Sequence, residues 1–173
     1  MSETKTNIPV SKSPFWQFSI KFYAVPGVAD ACIALQDSAK VDVNILFFLL
    51  WNATQGRTYK KADVAEVERL IGAWRDMAVV PIRNVRRALK TPPAVMTPEA
   101  AEGFRTRIKA VELEAERLQQ EALYELAQTS RLGQPSASPA KAAKTSTDAY
   151  QSVIGPFPPG PLATVLSAFA NFG

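Results

Sequence analysis

The chain contains no histidine. This removes the commonest general base and the commonest metal ligand, so a Ser-His-Asp triad, a Cys-His pair and any histidine-bearing zinc site are excluded. Cys32 is the only cysteine, which excludes an internal disulfide framework and a thiolate-rich metal site and fits a reducing compartment. No cofactor and no metal site is expected. Long apolar runs are also missing. The longest, Val43 to Trp51, is interrupted only by Asn44. At about 1.5 Å per helical residue it covers well under half of a roughly 30 Å hydrocarbon core, so it reads as a buried core helix and no membrane span is expected. The opening residues lack the apolar core of a secretory signal, which makes the cytoplasm the expected location. No strand signal and no internal repeat emerges, so the expected fold class is all-α. Side-chain charge is absent after Asp148.

What is present suits one domain that buries a core: 173 residues, 47% of them hydrophobic and 21% charged. The net charge of +4 is unevenly spread. Residues 57–109 carry twelve Lys/Arg against six acids, whereas residues 110–130 carry one Arg against five Glu. A local basic stripe of this kind is weaker evidence for nucleic acid than a uniformly basic domain.

Helix signals punctuate the sequence. Residues 1–12 are polar and expected to be flexible. Ser13-Pro14 reads as an N-cap followed by proline at the first helical position. The helix that follows carries Phe15, Phe18 and Phe22 on one stripe, widened by Trp16, Ile20 and Tyr23. Pro26-Gly27 breaks it. A second helix from Val28 to about Ala39 aligns Val28, Cys32 and Leu35, and Asp42 then caps the apolar helix that Gly56 stops. Asp63 is the expected cap of a fourth helix bearing Val64, Val67, Ile71 and Trp74, which Pro81 ends or kinks. Residues 81–90 place Ile82, Val85 and Leu89 inward. Thr97-Pro98 starts the longest helix, to about Ser130, whose apolar residues Phe104, Ile108, Val111, Ala115, Leu118 and Ala122 form a coiled-coil-like seam. Residues 131–160, rich in Pro, Ser, Ala, Lys and Thr, read as a disordered linker. Residues 161–173 carry a short amphipathic helix. The expected architecture is thus a compact bundle of five to six helices over residues 13–130, with a linker and a terminal helix.

The chain carries the spaced motifs Phe15-Trp16-x-Phe18, Tyr23, Pro26-Gly27-Val28, Cys32-x-x-Leu35-Gln36-Asp37, Val41-Asp42-Val43-Asn44 and Trp51, then Trp74 and Val79-Val80-Pro81-Ile82-Arg83-x-Val85-Arg86-Arg87-x-Leu89-Lys90. Together they resemble a proteobacterial family of short helical proteins known as a domain of unknown function. The resemblance covers roughly residues 15–130. It implies a bacterial, cytoplasmic, helical protein and brings no activity with it.

Three groups of residues are candidate functional features. Gln36, Asp37, Asp42 and Asn44 crowd one interhelical corner, where they bind a cation, accept protons or simply cap helices. An ion pair from Asp37 or Asp42 to an arginine of the 83–87 group is a further, architectural reading. Arg83, Arg86, Arg87 and Lys90, extended by Arg57, Lys60 and Lys61, make a basic surface suited to phosphate or to solvent. Leu162, Val165, Leu166 and Phe169 stripe the terminal helix, which either docks on a partner, folds back or frays. Cys32, flanked by apolar residues and without a histidine to activate it, is expected in the core. Trp16, Trp51 and Trp74 are expected to be core residues before a ligand cage. The leading expectation is a non-catalytic cytoplasmic adaptor with another protein as partner. Nucleic-acid or ribonucleoprotein binding through the basic surface comes second, and a carboxylate-dependent enzyme at the Asp37–Asn44 corner third. Neither partner identity nor oligomeric state is set by the sequence.

Overall fold

The computed structural model describes residues 13–172. The expected flexible N-terminus, residues 1–12, lies outside them. The described chain is all-α apart from one two-residue strand pair. Its helices are α1 (Pro14–Tyr23), α2 (Val28–Ala39), α3 (Val43–Thr54), α4 (Lys61–Trp74), α5 (Val80–Ala88), α6 (Pro98–Thr129), α7 (Pro139–Ile154) and α8 (Pro159–Ala170). Among the described residues no single helix is long and apolar enough to cross a membrane.

The bundle is built around α3. Its residues Ile45 to Ala53 are all buried, because an apolar surface on every side of a helix can be satisfied only by neighbours on every side. α1 and α6 cover part of it, and α7 lies along the rest. Phe15 of α1 meets Phe48 and Trp51, and Phe22 meets Phe47 edge-on at 5.2 Å. α1 and α2 are bent by 98° to each other about Pro26-Gly27. Gly27 has φ +85°, the left-handed backbone that glycine adopts without strain. Val28, Cys32 and Leu35 are buried as expected.

α4, a π turn at Arg75–Val79 and α5 run on without a break. Pro81 has no N–H to give to the carbonyl four residues back. The widened turn just before it, closed by Val80 N–H on the Arg75 carbonyl, admits the ring without ending the helix. Asp63 does not occupy the N-cap of α4 as expected. It sits at the third helical position, where its carboxylate accepts the Lys60 backbone N–H at 3.0 Å.

Two further expectations are corrected, and the reading left open for the terminal helix is decided as folding back. First, residues 131–160 are not a disordered linker. Gln134–Pro135 (β2) pairs antiparallel with Arg57–Thr58 (β1), and α7 follows, capped by the Ser138 hydroxyl on Lys141 N–H. Its buried face is Ala142, Ala143, Ser146, Thr147 and Tyr150. Small residues there let the backbone of α7 approach α3 closely, so order comes from contact that bulky side chains would prevent. Second, α8 is not held out on a tether. Val165 and Phe169 are buried, Leu162 and Leu166 half-buried, against α2 and α7. The rings of Phe169 and Phe172 lie 6.3 and 5.2 Å from that of Phe22. Third, the apolar seam of α6 is not the face it buries. Of the seam, Phe104, Val111 and Leu118 are 42–50% exposed, Ala122 is exposed, Ile108 is half-buried and only Ala115 is buried; the buried face is Ala101, Glu112, Ala115, Gln119, Gln120, Leu123 and Ala127. The helix turns a polar face inward because its neighbour α5 turns arginines toward it. For the same reason Val85 is exposed, while Ile82 and Leu89 are half-buried.

Candidate functional site

A cleft of about 710 Å³ opens where α1, α2, the π turn, α5 and α6 meet at the start of α3. Trp16, Ile20 and Tyr23 of α1, Ile33 of α2 and Leu113 of α6 form its apolar walls. Trp16, Ile20 and Tyr23 are the positions that widened the α1 stripe beyond what the core takes up, and Ile20 remains 54% exposed; Ile33 and Leu113 had no such signal. A concave apolar site with a few convergent polar groups is the usual form of a small-molecule pocket.

The polar groups come from the expected corner and from α6. Gln36, Asp37, Asp42 and Asn44 all line the cleft, joined by Arg83 and Arg87 of the basic surface. Asp42 is the hub. One carboxylate oxygen, Oδ1, accepts the backbone N–H groups of Asn44 at 2.9 Å and Ile45 at 3.3 Å, which caps α3 as expected. The other, Oδ2, accepts Gln119 Nε2 at 2.6 Å and faces the Arg75 guanidinium at 3.5 Å. The Asp42 backbone N–H donates to the Tyr150 hydroxyl at 3.1 Å, tying the cleft to α7. Burial pushes the Tyr150 hydroxyl well above its ordinary range.

From Asp42 a row of side-chain amides runs along the floor. Gln119 Oε1 accepts Asn44 Nδ2 at 3.2 Å, and Asn44 Oδ1 accepts Gln120 Nε2 at 2.8 Å. Gln120 Oε1 then has no partner among the described residues, and neither has Ser19 Oγ of α1. Both residues line the cleft and are 5% exposed. A buried acceptor left unpaired costs on the order of 1–3 kcal/mol, so these two oxygens are unsatisfied groups on residues that line the cleft.

The cations of the cleft are largely engaged. Arg75 bridges Glu68 at 2.6 Å, Asp76 at 2.9 Å and Asp42; these carboxylates outweigh its burial and raise its pKa. Arg83 donates to Glu112 at 3.0 Å and Glu116 at 2.7 Å, and Arg86 also donates to Glu112. Arg87 pairs with Asp37 at 2.9 Å, as the architectural reading expected; both partners are 40–50% exposed, so the pair contributes little. The basic surface is therefore divided. Arg83 and Arg86 serve the α5–α6 contact, Arg57 donates to the Leu132 carbonyl, and Lys60, Lys61 and Lys90 are exposed outside the cleft. Cys32 is buried, and burial pushes its thiol up to about 12. Of the tryptophans only Trp16 reaches the cleft; Trp51 is buried and Trp74 donates its indole N–H to the Ala115 carbonyl at 2.9 Å.

Burial pushes the Glu116 carboxyl up against the pull of Arg83. Burial acts the same way on Glu112, but hydrogen bonds from Arg86 and Arg83 outweigh it and hold that carboxyl below the usual range. Glu116 thus binds its proton more tightly folded than unfolded. Its contribution to stability rises as pH falls through its folded value and is lost as pH rises through it. Glu112 has the opposite sign. Urea midpoints of Glu116→Gln should equal or exceed wild type at neutral pH, with the difference closing toward pH ~4. A variant weaker than wild type at neutral pH would contradict this assignment.

An all-α bundle with a polar-floored cleft beside a central apolar helix is thus the class of protein observed. Residues 14–123 match the model of a family described as a protein of unknown function (DUF2390), and the chain belongs to that family. No curated protein and no solved structure matches it. Every residue lining the cleft falls within the matched segment, while α7 and α8 lie outside it.

Sequence reasoning found the Gln36–Asn44 corner and missed Ser19, Arg75, Glu116, Gln119 and Gln120. Gln119-Gln120 was legible as a polar break in the α6 pattern, but the outward seam masked which face mattered.

Proposed function

We propose that the protein is a non-catalytic binding protein whose cleft takes a small molecule with a ring-bearing, apolar body. The observation that carries this is the pairing of exposed apolar walls, Ile20, Ile33 and Leu113, with two buried oxygens that lack partners. A hydrolytic role for Asp42 is less well supported, because both of its oxygens are already committed to amide and guanidinium donors and neither is left to take a proton from substrate. A phosphate-binding role is likewise weakened by the carboxylates on Arg83, Arg86 and Arg87. A cytoplasmic placement belongs to the same proposal and is supported by the buried, unpaired Cys32.

The test is thermal unfolding of the full chain with 2-naphthol as probe. At ten times Kd the expected gain is ~1.4 kcal/mol, a rise of roughly 3–6 °C. Ile33→Arg, at an exposed position on the cleft wall, should leave the ligand-free midpoint unchanged and abolish the rise. An undiminished rise in that variant would place binding elsewhere.

An adaptor role is a second reading, supported by the exposed α6 positions Phe104, Val111 and Leu118 at seven-residue spacing. Such a stripe suits an amphipathic helix of a partner protein. Val111→Glu should remove any such partner in pull-downs without lowering the unfolding midpoint. Retention of the partner would end this reading.

A further inference from the structure

The floor of the cleft has a direction. An ionised carboxylate only accepts hydrogen bonds, so Gln119 must turn its NH₂ toward Asp42 Oδ2. Its oxygen is then the end that faces Asn44, which must answer with its own NH₂. The Asn44 oxygen in turn receives the NH₂ of Gln120. Each amide has one donating and one accepting end, so the orientation set at Asp42 passes along three side chains without a choice at any of them. It leaves an oxygen, Gln120 Oε1, at the far end. Had the row begun at a donor, the same side chains would end in an NH₂.

We infer that this chain makes Asp42 a specificity determinant acting at a distance, so that the cleft selects ligands whose polar head donates a hydrogen bond. The inference rests on the cleft being a binding site. The Ser19 hydroxyl, also unpartnered on a residue lining the cleft, accepts from a donating head and donates to an accepting one, and so does not discriminate. Arg83 and Arg87 keep N–H groups beyond those given to carboxylates, but these sit equally within reach of either kind of head, so the discrimination is made at Gln120 Oε1. Asp42 is 6% exposed and holds the α3 N-terminus in place; it acts through Gln119, Asn44 and Gln120 as a positioning residue and touches no ligand.

Asp42→Asn tests the direction itself. Asn keeps an oxygen for the α3 cap and puts an NH₂ where Oδ2 stood. Gln119, Asn44 and Gln120 then each rotate by a half-turn, and an NH₂ replaces the oxygen at the far end. Two neutral probes of nearly equal shape separate the cases: 2-naphthol, whose hydroxyl donates, and its methyl ether, which only accepts. Calorimetric titration of the full chain should show the naphthol bound at least tenfold more tightly by wild type, because the ether leaves the buried oxygen unpaired. In Asp42→Asn the ratio should fall to about one. Gln120→Leu, which removes the terminal oxygen and leaves the α3 cap intact, should also level the ratio and keeps the test open if the first variant folds poorly. Equal binding of both probes by wild type, or an unchanged tenfold preference in either variant, overturns the inference while the cleft remains a site. Binding of neither probe by wild type overturns the cleft as a site, and the inference with it.

Discussion

A chain ending at Thr129 should lose the cooperative unfolding transition that the full-length protein shows. α7, α8 and the segment between them supply Ala142, Ala143, Tyr150, Phe157, Val165 and Phe169 to the core, each at most 5% exposed. Removing them uncovers the side of α3 that α7 lies along and the face of α2 on which α8 packs. At roughly 1.5–3 kcal/mol for each large apolar side chain returned to water, four such losses rival the whole stability of a domain, about 5–15 kcal/mol. Two polar ties go as well: Tyr59 N–H to Ser146 Oγ at 2.9 Å, and Asp42 N–H to the Tyr150 hydroxyl. The shortened chain should keep much of its far-ultraviolet helix signal, lose near-ultraviolet dichroism and bind a hydrophobic dye, the signature of a loosened core. A sharp transition with an unshifted midpoint would show that the family-matched segment folds alone and that α7 is an accessory.

Asp42→Ala is the second large effect. The substitution removes the α3 cap, worth about 1 kcal/mol, and deprives Gln119 and Arg75 of a buried acceptor. Breaking one side of a buried charged contact costs about 3–5 kcal/mol. Arg75 retains Glu68 and Asp76, which places the expected loss toward the lower end. For a chain of this length that lowers the unfolding midpoint by roughly 8–15 °C. Asp42→Asn keeps an oxygen for the cap but not the charge facing Arg75, so in urea titrations it should lose most of what the alanine variant loses, falling short of it by about the 1 kcal/mol of the cap. If the alanine and asparagine variants fall together, the cap accounts for little and the ionic contact with Arg75 for nearly all.

How much was legible in the sequence depended on what each helix buries. α1 to α3 were readable because they bury large side chains at helical spacing, and because Ser13-Pro14, Asp42 and Gly56 mark their ends. α6 was readable in extent from Thr97-Pro98 but not in orientation. Its large apolar residues Phe104, Val111 and Leu118 point outward, and its packed face joins small alanines and Leu123 to Glu112, Gln119 and Gln120, which periodicity counts as surface. α7 was missed although Ser138-Pro139 repeats the cap-and-proline signature that opens α1 and α6. Its buried face of alanine, serine and threonine has too little apolar area for composition to register, and its order depends on an α3 surface distant in sequence. The Gln36–Asn44 corner was found from the crowding of polar residues in an apolar stretch. Its partners on α6 lie about 75 positions away, and only the fold brings them together.

The most direct measurement is a ¹⁵N–¹H spectrum of the full-length protein titrated with 2-naphthol, read at the three tryptophan indoles and the side-chain amide of Gln120. Trp16 lines the cleft; Trp51 and Trp74 do not. The Trp16 indole and Gln120 amide signals should move together and saturably, with those of Trp51 and Trp74 unmoved. Movement confined to Trp51 or Trp74, or no saturable movement at all, would contradict the assignment of the cleft as the protein's binding site.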